Sequence, residues 1–159
     1  MSVKERTLWR YLLMSEVIIT RLNEQNLQET HNLCEKCFKQ NVNFDDIKTI
    51  YDKVKNDNHY ECLVAMLNDK VVGYTTAVVA YNIFDGLKPF MTLWFVCVHP
   101  EYRRMYIGTK LFQEIESIAK KRDCELIYFT SEFDNENAHK FYEKLGYNPQ
   151  KEKAFYKLF

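Results

Sequence analysis

The chain has 159 residues, 47% of them hydrophobic, and its 22 Lys plus Arg balance its 22 Asp plus Glu. That length holds one domain, and that apolar share is enough to bury a continuous core, which excludes a disordered chain. Interspersed charges without a basic stripe exclude the usual nucleic-acid binder, and no run approaches the ~20 apolar residues that a membrane-crossing helix needs.

In chain order, residues 1–15 mix Lys4, Arg6 and Arg10 with the apolar run Tyr11-Leu12-Leu13-Met14. That run is too short for a secretory leader, and no small-residue cleavage site follows it. Met14-Ser15-Glu16-Val17 reads as a second start, so 1–15 are expected to be an N-terminal extension and 16–159 the domain. Val17-Ile18-Ile19 opens a β-branched strand that stops near Asn23-Glu24. Residues 25–40 predict a helix, with Leu27, His31, Cys34 and Phe38 recurring every three or four positions. Asp45 or Asp46 could cap a second helix bearing Ile47, Ile50, Tyr51 and Val54, which Asn56-Asp57-Asn58 ends.

The middle of the chain is strand-rich. Tyr60 to Leu67 and Val71 to Ala80 flank Asn68-Asp69, a pair able to take the positive φ angles of a tight hairpin. Asn82 to Lys88 reads as a loop, and Pro89 opens a strand whose run from Phe90 to Val98 is almost wholly apolar. Lack of alternation predicts a central strand buried on both faces. Ile107, Leu111, Phe112, Ile115, Ile118 and Ala119 then form a helical stripe, with Lys110, Glu114, Glu116 and Lys120 expected outward. Leu126 to Thr130 is a strand, and Ala138, Phe141, Tyr142 and Leu145 mark a helix ended by Gly146. Ala154 to Phe159 reads as a final strand. The fold class is therefore α/β, a mixed sheet flanked by helices.

Five cysteines, Cys34, Cys37, Cys62, Cys97 and Cys124, form an odd set, several beside apolar residues. They read as reduced, packed thiols of a cytoplasmic protein, not as a disulfide framework. His31, Cys34 and Cys37 share helical spacing, but no second cluster completes a ligand set, so no metal is expected.

Chemistry concentrates between Val96 and Thr109: a buried strand, a turn with Arg103 and Arg104, then a helix start. The first turn of a helix offers unpaired N–H groups and the positive end of the dipole, so this is an anion site by design. Gly108 admits a ligand close to the backbone, and the two arginines can hold a pyrophosphate.

These residues resemble the GNAT superfamily of N-acetyltransferases. Its Arg/Gln-x-x-Gly-x-Gly/Ala signature corresponds to Arg103, Arg104, Met105, Tyr106, Ile107 and Gly108, approached through Val96-x-Val98-His99-Pro100-x-Tyr102. A second motif, Asn-x-x-Ala-x-x-Phe-Tyr-x-x-x-Gly-Tyr/Phe, is met by Asn135, Ala138, Phe141, Tyr142, Gly146 and Tyr147. The resemblance runs over about residues 17–159. It implies a mostly antiparallel sheet with a splayed strand pair, and acetyl-CoA as co-substrate. It further implies that backbone groups of Val96 and Val98 pair with the pantetheine amides and that N–H groups from Arg104 through Thr109 hold the pyrophosphate. By the same resemblance Asn135 bonds the pantetheine arm, and Tyr142 directs its hydroxyl at the thioester sulfur.

Two positions depart from the family pattern. Tyr106 stands where the first loop glycine is usual, although tyrosine does not easily take positive φ. Trp94 stands where many relatives carry a glutamate acting as base or proton relay. For the base, the residues offer Glu132, just beyond a strand end, with Asp134 and His99 as alternatives, Asp134 being equally suited to capping the next helix. The acceptor is a small-molecule or peptide amine, and Phe44, Asp45, Asp46, Tyr81, Phe84, Trp94, Glu132 and Phe133 lie in the regions that would shape its site. A homodimer stays open. The rival readings are a non-catalytic acyl-CoA-binding module and an interaction protein that keeps only the fold.

Overall fold

A computed structural model of the chain describes residues 16–81, 83, 88–150 and 157. The extension 1–15, Phe84 with residues 82 and 85–87 of its loop, and all but Lys157 of the expected strand from Ala154 lie outside the described residues. In order the elements are β1 (Ile18–Arg21), α1 (Glu24–Phe38), α2 (Phe44–Val54), β2 (Tyr60–Leu67), β3 (Lys70–Tyr81), β4 (Pro89–Val98), a single 3-10 turn (Pro100–Tyr102), α3 (Ile107–Lys121), β5 (Ile127–Phe129) and α4 (Glu136–Lys144). The strands form one sheet in the order β1-β2-β3-β4-β5, and the first three pairings are antiparallel. Two compact units divide the chain, residues 1–128 and 129–159.

The β2–β3 hairpin turns on Asn68 and Asp69, at φ 49° and 60°. Both short polar side chains tolerate that left-handed backbone, whose twist suits a two-residue connection. Two irregularities then reset which way side chains point. Opposite Ala65 and Met66, β3 carries the extra residue Val72, and opposite Thr76 and Ala77, β4 carries the extra residue Trp94. Each extra residue reverses the alternation of its own strand relative to its partner.

Helices α3 and α1 pack on opposite faces of the sheet. Ile107, Leu111, Phe112, Ile115 and Ala119 are buried along α3, and Gly73 faces Ile107 and Leu111. The next residue, Tyr74, points the other way, with Leu33, Val64, Val71 and Cys97 in a cluster that Cys34, Cys37 and Phe38 of α1 complete. Burying one side chain the size of Leu111 or Phe112 stabilises by about 1.5–3 kcal/mol, so the α3 stripe anchors that helix to the sheet.

Three local expectations need correction. Helix α2 is capped by Asn43, whose side chain accepts from the Asp45 N–H at 2.7 Å, so neither Asp45 nor Asp46 is the cap; both lie in the first turn. Strand β4 lies inside the sheet, but it is not buried on both faces: Trp94 is 70% exposed and Phe95 39%. The bulge at Trp94 breaks the alternation there and turns two successive aromatics out of the core. Lys110 is half-buried, its Nζ donating to Val17 O at 2.8 Å instead of pointing into solvent.

Candidate functional site

In the first unit the site is built where β4 leaves the sheet. His99 N–H donates to Val72 O at 2.9 Å, which fixes the exit point one residue past Val98. The His99 ring caps the following turn, Nδ1 accepting from the Glu101 N–H at 3.3 Å, and Pro100 opens that turn, where a missing N–H costs nothing. Arg103 reaches back, Nε donating to Val98 O at 3.3 Å. The same carbonyl accepts from the Cys37 thiol of α1 at 3.6 Å. Arg104 and Tyr106 both take the left-handed conformation, φ 62° and 60°. Helix α3 follows at Ile107, and Lys110 N–H closes its first turn on Tyr106 O at 3.0 Å.

Tyr106 therefore does adopt the positive φ that its side chain disfavours. The left-handed backbone costs a residue with a Cβ about 1–2 kcal/mol, and here it is held by the α3 stripe locked into the core immediately after it. The ring itself is exposed.

The start of α3 is chemically distinct. Tyr106 makes no side-chain capping bond, and the first turn holds no acid. Helices α1, α2 and α4 are capped by Asn23, Asn43 and Asn135 and carry Glu24, Asp45 with Asp46, and Glu136 in their first turns. At α3, by contrast, the positive end of the dipole is flanked by the exposed Arg103 and Arg104, and no carboxylate in the turn competes for an anion. Val98 and residues 103–109 thus form one strand-end and helix-start assembly, with Val96 two residues back on β4. Its height above the sheet is set by Gly73, which pairs with Val98. A Cβ at Gly73 would lie 3.0 Å from Ile107 Cγ2, 3.1 Å from Leu111 Cδ1 and 3.3 Å from Ala65 Cβ.

In the second unit, Asn135 is the N-cap of α4, its side chain accepting from the Ala138 N–H at 3.3 Å. Asp134 is not that cap, a correction to its alternative role. Tyr142 is half-buried against Phe129, ring centroids 4.8 Å apart, and Phe141, 5.4 Å apart. Burial pushes its phenol above the ordinary range. Tyr147 packs on the same Phe129 ring at 5.0 Å, after Gly146 turns the chain at φ 93°. The exposed Glu132 uses its backbone oxygen to accept from the Asn135 N–H at 3.1 Å, and that oxygen lies 2.9 Å from His139 Nε2. Phe133, once grouped with the acceptor walls, is 99% exposed.

His31 sits 2.8 Å from Val42 O through Nε2 and packs its ring 5.6 Å from Phe44. Among the described residues no group of three or more His, Cys, Asp or Glu is arranged to hold a metal ion. No described helix is long and apolar enough to cross a membrane.

The Acetyltransferase (GNAT) family model matches residues 27–147, most of the chain and all of the strand-end assembly. The chain belongs to the GNAT family. Among GNAT relatives, N-alpha-acetyltransferase 30 of Schizosaccharomyces pombe is 32% identical over 84 residues, 53% of this chain and 55% of that protein. Aminoglycoside N(6')-acetyltransferase type 1 of Acinetobacter baumannii is 28% identical over 90 residues, 55% of this chain and 62% of that protein. The match thus spans little more than half the length of each curated relative. A transcriptional regulator from Bacillus halodurans superposes with a TM-score of 0.81 at 21% identity, covering 89% of this chain and 99% of that one. An aminoglycoside acetyltransferase from a soil metagenome, in complex with trehalose, gives 0.78 at 24% identity, covering 91% and 98%. At such identities these two establish the shared fold.

Two features of the candidate site carry no signal in the sequence. Gly73 gave no motif, since a glycine inside a strand signals close approach without saying to what. Cys37 and Val98 meet across 61 residues, and only the packing of α1 on the sheet brings them together.

Proposed function

We propose that the chain is an acetyl-CoA-dependent N-acetyltransferase acting on a primary amine. The observation that carries this reading is the start of α3: a helix N-terminus without cap or acid, preceded by two exposed arginines, fits the diphosphate of coenzyme A. When bound, acetyl-CoA supplies an acetyl group already activated as a thioester. N–H groups from Arg104 through Thr109 hold the diphosphate, Val96 and Val98 offer strand-edge backbone groups to the pantetheine, and Asn135 contributes a further polar contact. For Val98 that contact would involve a carbonyl that Arg103 and Cys37 now share.

An amine of lysine-like pKa, about 10.4, is less than ~0.1% neutral at pH 7, which adds roughly 4–5 kcal/mol to the barrier. Orientation offsets part of that. Glu132 is the proposed proton acceptor, directly or through a water, because Trp94 replaces the glutamate usual in GNAT relatives. Tyr142 is the proposed donor to the departing thiolate, and its raised pKa keeps the proton on the phenol at neutral pH. The relatives named for N-alpha and aminoglycoside N(6') acetylation support an amine acceptor, in a peptide or a small molecule.

Free-thiol release from acetyl-CoA across an amine panel tests the reading. Turnover with at least one amine is expected. The exposed Trp94 at the bulge favours one rival, a binding module that has lost its chemistry. Tight coenzyme binding without thiol release from any amine would establish that rival instead.

A further inference from the structure

Because Trp94 is an extra residue in β4, the strand changes face there, and Cys97 points to the α1 side opposite Tyr74 rather than to the α3 side with Met91 and Leu93. It thereby meets Cys34 and Cys37, one turn apart on α1. We propose that Cys37 and Cys97 form an oxidisable thiol pair, with Cys37 attacking small-molecule disulfides and Cys97 resolving the adduct.

The geometry separates the two roles. Cys37 is half-buried, while Cys97, in the same cluster, is buried. Cys37 and the Arg103 guanidinium converge on the same oxygen, Val98 O, at 3.6 and 3.3 Å. Lys36 is the adjoining cation, its Nζ 2.9 Å from His99 Nε2. A thiolate at Cys37 is stabilised by the Cys97 thiol donating to it and by these two cations, which bring its pKa from 9.0 to about 7. The Cys97 thiol moves the opposite way, held protonated by the neighbouring thiols and by burial. Plain packing of three small apolar side chains would not require cations beside the half-buried Cys37.

The reaction balances as two exchanges. The Cys37 thiolate attacks one sulfur of a disulfide RSSR, forming Cys37–S–S–R and releasing RS⁻. That bond removes the negative charge from Cys37, so Cys97 no longer has an anionic acceptor holding its proton. Cys97 sulfur then attacks Cys37 sulfur, the Cys37–SR bond breaks, and the second RS⁻ leaves with the Cys97 proton as RSH. Two protein thiols are oxidised and one small disulfide is reduced to two thiols. The oxidant class is a low-molecular-weight disulfide with anionic groups, such as glutathione disulfide, which Lys36 and Arg103 would attract.

The full-length chain is incubated with glutathione disulfide at pH 7.5 and followed by intact mass and peptide mapping. Expected is a loss of two hydrogens without retained glutathione, with the Cys37 and Cys97 peptides joined. Cys37→Ser is expected to slow oxidation at least tenfold, and Cys97→Ala to trap a glutathione adduct on Cys37. The wild-type map stands even if Cys97→Ala fails to fold. A persistent wild-type adduct, first reaction at Cys34, Cys62 or Cys124, or an unslowed Cys37→Ser protein would overturn the assignment. None of these readouts involves acetyl transfer.

Discussion

Helix α4 begins on Asn135, whose side chain takes the Ala138 N–H, and places Glu136 in its first turn; helix α3 begins on Tyr106 with neither provision. The two starts have the same backbone need, four N–H groups without intrahelical partners. At α4 the chain answers one of them itself. At α3 the N-cap side chain does not, Arg103 and Arg104 precede it, and the strained Tyr106 backbone is kept. An uncapped helix gives up roughly 1 kcal/mol, a cost that becomes intelligible when an external anion takes the place of the cap.

The comparison can be tested from its strongest consequence down. Tyr142→Phe should lower kcat by about 100-fold or more and leave the acetyl-CoA Kd nearly unchanged, read by thiol release and calorimetry. Equal turnover would remove the phenol from the chemistry. Since the Tyr142 pKa is raised, its proton is retained up to and beyond the ordinary phenol range near 10. The wild-type rate should therefore rise with pH as the amine loses its proton, with no fall below about pH 10 from this group. A descending limb at lower pH that disappears in Tyr142→Phe would contradict the burial argument.

Next in size is the anion turn itself. Arg103→Ala combined with Arg104→Ala should weaken coenzyme A binding about 100-fold or more at low salt, at roughly 1.5 kcal/mol per charge-assisted contact. The loss should shrink as salt screens the wild type. Unchanged affinity would mean that the α3 start is not a diphosphate site. Asn135→Ala removes the α4 cap and should cost about 1 kcal/mol, seen as faster amide exchange in residues 136–139. The smallest effect belongs to Tyr106→Gly. Relief of the left-handed strain, partly offset by glycine's greater chain entropy, should stabilise by about 0.5–1 kcal/mol and raise Tm by a few degrees. A lower Tm would show that the tyrosine ring contributes more than its backbone costs.

Much of this was legible in the residues, for definite reasons. The Tyr60–Leu67 strand, its Asn68-Asp69 turn and the α3 stripe each announce themselves within a dozen positions, because periodicity and turn chemistry are local. The caps were harder. Asp45 and Asp46 have the right chemistry, but the backbone enters the helix two or three residues earlier, at Asn43, and the entry point decides which side chain caps. The β4 bulge was invisible because a wholly apolar run carries no alternation to interrupt. For that reason the exposure of Trp94 and the facing of Cys97 toward α1 both went unread. In the candidate site, the anion turn and Tyr142 were named from motif residues, while the shared Val98 carbonyl depends on contacts between distant segments.

The bare α-carbon of Gly73 gives the protein a spacer of zero thickness under the first turn of α3. A Cβ there would press on the side chains of Ile107 and Leu111, which would have to give by a few tenths of an ångström. Under the proposed coenzyme reading, a substitution at Gly73 is expected to change affinity while every residue of the turn stays the same.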